Sequence, residues 1–132
     1  MSPQPPSATR LSMQSTTALR ITAAIGFLAV ALGAFGAHGL KEVLARHGTL
    51  ATFETAAHYH LIHAVVMLWV ATRDPFPVRV WWCFFLGVLI FSGTLYVLAI
   101  TGVKVLGAIT PLGGLCLLAG WLLVMLGSGG RK

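Results

Sequence analysis

Four long apolar stretches alternate with short polar segments along this chain of 132 residues. They cover approximately residues 19–37, 52–72, 80–101 and 105–127. A helix needs about 20 residues to cross a hydrocarbon core of roughly 30 Å, and within lipid it satisfies its own backbone polar groups. Short connections make neighbouring helices antiparallel. The pattern therefore predicts an all-α integral membrane protein, a four-helix antiparallel bundle.

The polar segment between the first two stretches has a helical pattern of its own. In "GLKEVLARHGTL" the apolar positions follow the spacing i, i+3, i+4, i+7, and they are Leu40, Val43, Leu44 and His47. This spacing predicts a short interfacial helix between spans 1 and 2. The alternative is an irregular loop closed by Gly39 and Gly48.

The two ends of the chain differ in composition from the apolar stretches. Residues 1–18 are rich in Ser, Thr, Pro and Gln, which predicts a disordered cytoplasmic tail. A signal peptide starting near Arg20 is the alternative, although its apolar run is long for that role. We expect a membrane domain over residues 19–127 and a basic cytoplasmic tail over residues 128–132.

Composition and charge agree with a membrane location. Hydrophobic residues make up 57% of the chain and charged residues 9%, and the formal net charge is +6. Six lysines and arginines fall on the side of the two termini and three on the other side, which predicts that both termini are cytoplasmic. The lipid bilayer is the expected partner of the basic residues. Nucleic-acid binding is set aside, because no basic patch with interleaved aromatic residues lies outside the spans.

Polar side chains within the apolar stretches gather on the side away from the termini. The predicted polar cluster comprises His38, Tyr59, His63, Ser92, Tyr96 and Thr110. Tyr59 and His63 are four residues apart and share a helix face, whereas His58 and His60 are interpreted as incidental neighbours near the rim. A histidine at mid-membrane needs partners inside the bundle. Two roles stay open for His63: a hydrogen bond to Tyr96, Ser92 or a carbonyl that locks two helices, or ligand binding and proton transfer.

Catalytic and metal-binding patterns are weak. The chain has no GxSxG elbow, no phosphate-binding glycine motif and no CxxC pair. His38 and His58 are the pair that comes nearest to clamping a haem iron, but their depths differ. Glu54, His58 and His60 fail as a metal site, because the two histidines point in nearly opposite directions on a helix. We therefore assign no cofactor, no metal and no catalytic residue.

Four ordered motifs carry a resemblance to a known family. They are "ALGAFGAHGL", "FETAAHYHLIHA", "FSGTLY", and "AITPLGG" with "LAGW". Together they resemble the YgdD-like family of small bacterial inner-membrane proteins, a domain of unknown function. The resemblance covers about residues 21–126 and implies a four-span architecture without an established activity. The matching positions are Gly33, Gly36, His38, Tyr59, His63, Ser92, Gly93, Tyr96, Thr110, Pro111, Gly113, Gly114, Gly120 and Trp121. His58 and His60 fall where family members carry other polar residues.

Small residues at helical spacing indicate how the helices pack. The predicted helix-packing positions are Ala29, Gly33 and Ala37 on the first span, and Gly113 and Gly120 on the fourth. Such faces favour a structural or partner-binding role in the inner membrane, as a homo-oligomer or with another membrane protein. The competing hypothesis is a haem, quinone or metal site in the polar cluster.

Overall fold

The structure is a computed structural model that describes residues 13–127, and over this range the chain is all-helical. A 3₁₀ helix spans Lys104–Ala108. The α-helices are α1 (Met13–His38), α2 (Lys41–His47), α3 (Leu50–Ala71), α4 (Val78–Thr101) and α5 (Thr110–Gly127). The prediction of an all-α fold is confirmed, and α2 confirms the predicted short helix between the first two stretches.

Three helical segments are long and apolar enough to cross a membrane. They are Met13–His38, Val78–Thr101 and Lys104–Gly127. Helix α3 has 22 residues, which is sufficient length for a span, but Glu54 and three histidines lower its apolar character. A span signal taken from average hydropathy is therefore weakest in the helix that carries most of the polar side chains.

One predicted boundary is wrong. Helix α1 begins at Met13, so residues 13–18 are helical although composition predicts them in the disordered tail; Ser15 and Ala18 are buried in the bundle. The fourth apolar stretch begins with the 3₁₀ helix and continues as α5 from Thr110. Residues 1–12 and the predicted basic tail over residues 128–132 lie outside the described residues.

Two glycines end helices in a conformation that other residues rarely adopt. Gly48 follows α2 with φ 65°, and Gly102 follows α4 with φ 73°. Glycine reaches this left-handed region without the cost that a Cβ imposes. The chain can therefore reverse sharply after α2 and after α4.

The helices pack in a simple order around two apolar clusters. Helix α3 packs between α1 and α4, and α4 packs between α3 and α5. One cluster, near the α3–α4 turn, centres on Phe84, Met67 and Val70. The other lies at the opposite end, under α2, and includes Leu44 and Phe53. These two apolar clusters lie on either side of the polar residues of α3.

Glycines of two helices, α1 and α5, let bulky neighbours approach closely. A Cβ at Gly36 or Gly113 would collide with the Phe53 ring or the Phe91 backbone, and one at Gly120 would lie 2.8 Å from the Phe84 ring. Gly113 and Gly120 thus lie in tight helix contacts.

The predicted packing face of α1 is rotated relative to its contact with the rest of the bundle. Ala29 is buried, but Ala37 is exposed, and a Cβ at Gly33 would meet open space. Gly36, rather than Gly33 or Ala37, makes the close contact. The close contact of α1 with the bundle thus lies about one residue around the helix from the predicted face.

Candidate functional site

His63 lies in a box of aromatic rings at the middle of α3. Its side chain is 5% exposed. Its ring stacks with Tyr59 at 5.9 Å and lies 5.7 Å from Phe84 and 6.2 Å from Trp121. Gly120 makes room for Phe84, so the glycine of α5 helps to form this environment.

Both nitrogens of His63 are engaged. Nδ1 lies 2.8 Å from the Tyr59 carbonyl, and the Trp121 indole donates to Nε2 at 3.2 Å. A carbonyl only accepts and an indole N–H only donates, so Nδ1 carries the proton and Nε2 is bare. His63 is therefore a neutral imidazole that ties α3 to α5.

His60 is part of the same polar interior, which corrects its interpretation as an incidental rim residue. It is 6% exposed, and its Nδ1 lies 3.2 Å from the Tyr96 hydroxyl. The ring also makes a polar contact with the backbone of Ile25 in α1. The tautomer of His60 decides whether Nδ1 or the Tyr96 hydroxyl is the donor of this bond. His60 thus links α3 to α4 and contacts α1.

Ser92 is the exception within this interior. Its side chain is 1% exposed, and its Oγ has no hydrogen-bond partner among the residues that the structure describes. It lies on the α4 side of a groove of about 200 Å³ that separates α1 from α4. We call this space the α1–α4 groove; its lining includes Ile25, Leu28, His60, Ser92, Gly93 and Tyr96.

Three further hydrogen bonds join different helices or their ends. Thr94 and Thr110 hydroxyls lie 2.8 Å apart and join α4 to α5. The Thr49 hydroxyl donates to the Ala99 carbonyl at 2.6 Å, at the start of α3. The Trp81 indole donates to the Thr22 hydroxyl at 2.9 Å and joins α4 to α1.

The predicted cluster is only partly brought together. His63, Ser92, Tyr96 and Thr110 are buried, but Thr110 bonds to Thr94 rather than to His38. His38 is exposed at the end of α1, and its side chain makes no hydrogen bond within residues 13–127. Tyr59 is 42% exposed and contributes its carbonyl and ring face to His63. Depth along each helix predicts His38 near this cluster, but depth does not fix the rotation of a helix about its own axis.

Trp121, Thr94 and Thr22 were missed as partners. Each had a sequence signal: an indole N–H within a membrane span needs an acceptor, and a threonine hydroxyl within a span is such a group. Spacing along one helix, however, does not identify the helix that supplies the partner.

The described residues contain no group of three or more His, Cys, Asp or Glu side chains placed to hold a metal ion. A metal or haem iron would also have to displace Trp121 or Tyr96 to reach a bare imidazole nitrogen. The arrangement is suited to holding helices together.

Sequence comparison places this bundle among known proteins. The model of a protein family of unknown function, DUF423, matches residues 32–114, which is more than half of the chain. The chain belongs to the DUF423 family. The matched region includes α2, α3, α4 and the start of α5, and it therefore contains His60, His63, Ser92 and Tyr96.

Several DUF423 relatives match over most of their length. A UPF0382 membrane protein of Staphylococcus saprophyticus is 39% identical over 76% of this chain and 87% of its own. One from Haemophilus influenzae is 40% identical over 83% and 91%. The inner membrane protein YgdD of Escherichia coli is 34% identical over 88% and 92%, which confirms the YgdD-like resemblance. No solved structure matches the chain. The chain is thus a membrane protein of a family without an assigned function.

Proposed function

We propose that this protein is a four-span inner-membrane bundle with a structural role, which associates with a second copy through α1. The observation that carries the structural role is that both buried histidines bond to groups of the chain itself. His63 bonds to Tyr59 and Trp121 through its two nitrogens, and His60 bonds to Tyr96 and contacts the backbone of Ile25. These groups belong to α1, α3, α4 and α5. Such bonds are common between membrane helices and fix how the helices are arranged.

The proposal treats α3 as the fourth span. At 22 residues the helix is about 33 Å long, and it packs between α1 and α4, both apolar enough to span a membrane. The polar residues His60 and His63 face the bundle, where a histidine within a span is tolerated. The low hydropathy of α3 is then explained by its central position rather than by a location outside the membrane.

Association through α1 is supported by small residues that the monomer leaves uncovered. A Cβ at Gly26 or Gly33 would meet no neighbour within 4 Å, and Ala37 is exposed on a nearby face. Small residues allow helices to approach closely in lipid, where van der Waals packing drives association. Helix α1 lies at the edge of the bundle, in contact with α3, so this face is accessible to a second copy.

Disulfide crosslinking tests the association. Cys83 and Cys116 are first replaced by Ala, and Ala37→Cys is then introduced. Ala31→Cys is the matched control, because both alanines are exposed but lie about 120° apart around α1. We expect oxidised membranes to contain a disulfide-linked dimer with Ala37→Cys and little with Ala31→Cys. Equal dimer from both variants, or none from either, would show that this face is not the interface.

The cofactor hypothesis has a separate test. Purified protein is examined by visible absorption and metal analysis, with His63→Ala as the comparison. The structural role predicts no Soret band and no stoichiometric metal. A Soret band, or one metal per chain that His63→Ala loses, would overturn it.

A further inference from the structure

The α1–α4 groove combines an apolar wall with an unpaired hydroxyl. Leu28 and Leu89 on its two sides are 51% and 59% exposed, so the groove opens laterally at the protein surface that faces lipid. At its base lie Ser92, Tyr96 and His60. No Asp, Glu, Lys or Arg side chain is among its lining residues.

The Ser92 hydroxyl is the observation that indicates a ligand. Its oxygen is buried without a hydrogen-bond partner in the described part of the chain. A buried hydroxyl without a partner costs about 1–3 kcal/mol, and most buried polar side chains in proteins avoid this cost. A serine hydroxyl can donate to the carbonyl one turn earlier in its own helix, as the Thr94 hydroxyl does to the Ile90 carbonyl. Ser92 does not, so turning its hydroxyl toward the groove that it lines would break no existing hydrogen bond.

The geometry points to a neutral, hydrocarbon-soluble molecule with a ring carbonyl or hydroxyl, the chemistry of a quinone head group, as the occupant of this groove. The neutral lining disfavours a charged ligand, because a charge in lipid needs a partner. Ser92 can donate to a carbonyl or accept from a hydroxyl. The Tyr96 hydroxyl, which bonds to His60, keeps further hydrogen-bonding capacity one helical turn away, because a phenol has one donor and two acceptor lone pairs.

Depth distinguishes this molecule from an ordinary phospholipid. Ser92 lies nine residues before the end of α4 at Thr101, which is about 13 Å along the helix. Half of the hydrocarbon core is about 15 Å, so the hydroxyl is close to the bilayer centre. Phospholipid ester carbonyls lie at the interface, whereas a head group that dissolves in the hydrocarbon can reach Ser92.

The size and lining of the groove agree with one ring. A cavity of 150 Å³ can hold benzene, and this groove is about 200 Å³. Phe85, Tyr96 and His60 supply aromatic surface, and a Cβ at Gly93 would meet no neighbour, so a flat ring can approach the backbone there. An apolar tail would leave the groove between Leu28 and Leu89.

Photolabelling tests this proposal on the full-length protein in phospholipid nanodiscs. The probe is a 1,4-benzoquinone with a decyl tail and a photoreactive azide, and the unlabelled decyl-benzoquinone competes with it. We expect labelled peptides from α1 and α4. Ser92→Ala, which removes only the hydroxyl, should weaken binding about three- to tenfold.

Two glycine variants provide the matched control. Gly93→Leu fills the groove and should abolish labelling, whereas Gly127→Leu adds the same side chain to open space on α5, outside both the groove and the proposed α1 interface, and should leave it unchanged. Unchanged affinity in both Ser92→Ala and Gly93→Leu, or equal competition by decanol, would overturn the proposal. The crosslink at Ala37 does not depend on the groove, so the two proposals can fail separately.

Discussion

At the scale of single residues, the His63–Trp121 bond joins two helices through a buried imidazole. His63 and Trp121 join α3 to α5 at 3.2 Å, and His63 is saturated on both ring nitrogens. Replacing His63 by Phe keeps an aromatic ring in the box but leaves the Trp121 N–H without an acceptor. We expect His63→Phe to destabilise the bundle by about 1–3 kcal/mol, measured by reversible unfolding in detergent micelles.

A double-mutant cycle isolates the bond from the packing. His63→Phe, Trp121→Phe and the double variant should give a coupling energy of about 0.6–1.7 kcal/mol, the range for hydrogen bonds between membrane helices. His38→Phe is the control, because His38 is exposed at the end of α1, and it should be neutral. Additive effects of His63→Phe and Trp121→Phe would show that the bond contributes nothing to stability.

Ser92 and Thr94 are close in sequence and should respond in opposite directions. Thr94 bonds to Thr110, whereas Ser92 has no partner in the described chain. Removing the hydroxyl in Ser92→Ala should stabilise the protein by up to about 1–3 kcal/mol in detergent without quinone, whereas Thr94→Val should destabilise it by about 1 kcal/mol. Thermal unfolding of both purified variants measures this. A loss of stability in Ser92→Ala would indicate a bond within the chain and weaken the groove proposal.

The residue that matters most on α3 was predictable, but its partners were not. His63 stands out because a polar ring at mid-membrane needs partners, and a carbonyl was among those expected. His60 was misjudged because α3 is contacted by α1 on one side and α4 on another. A helix with two buried faces has no single inward direction that spacing can reveal, so Tyr59 was turned inward and His60 outward.

At the scale of the helices, glycines divide into those that are packed and those that are open. Gly113 lies against the Phe91 backbone, whereas Gly33 faces open space. Gly113→Ala should therefore destabilise by about 1–3 kcal/mol through overpacking against rigid backbone. Gly33→Ala should be neutral or slightly stabilising, because alanine favours the helix by about 1 kcal/mol over glycine. Unfolding of both variants in detergent compares one chemical change in two environments.

A similar loss of stability in Gly113→Ala and Gly33→Ala would show that α1 packs against the bundle through Gly33 as well. Gly120→Ala is an intermediate case, since the added Cβ meets the Phe84 ring rather than backbone. A ring can move slightly, so this variant should lose less stability than Gly113→Ala.

Helix identity was predictable because long apolar stretches and the spacing within "KEVLARH" survive any tertiary arrangement. The residues at which the helices begin and end were less predictable. Met13 starts α1 within a segment rich in Ser and Thr, where composition indicated disorder, but Ser15 and Ala18 are buried in the bundle. Tertiary contacts therefore extend a helix that local composition alone disfavours.

At the scale of the whole molecule, side-chain hydrogen bonds connect all four long helices of the described chain. Trp81 joins α4 to α1, His63 joins α3 to α5, and Thr94 joins α4 to α5. Lipid offers no hydrophobic drive between helices, so these bonds and the glycine contacts supply the specificity that a water-soluble bundle obtains from its core.

The orientation of the bundle follows from charge and from α3, and both can be tested together. If α3 spans the membrane and the termini are cytoplasmic, α2 and the segment after α4 lie outside and the α3–α4 turn lies inside. In a chain without Cys83 and Cys116, the exposed positions Ala45, Asp74 and Val103 each receive a single cysteine. A membrane-impermeant maleimide added to spheroplasts should label Ala45→Cys and Val103→Cys, and it should reach Asp74→Cys only after permeabilisation. If Ala45→Cys and Asp74→Cys were labelled from the same side, α3 would not cross the membrane. If the labelling pattern of all three cysteines were reversed, the termini would lie outside, which would contradict the excess of six basic residues over three on the terminal side.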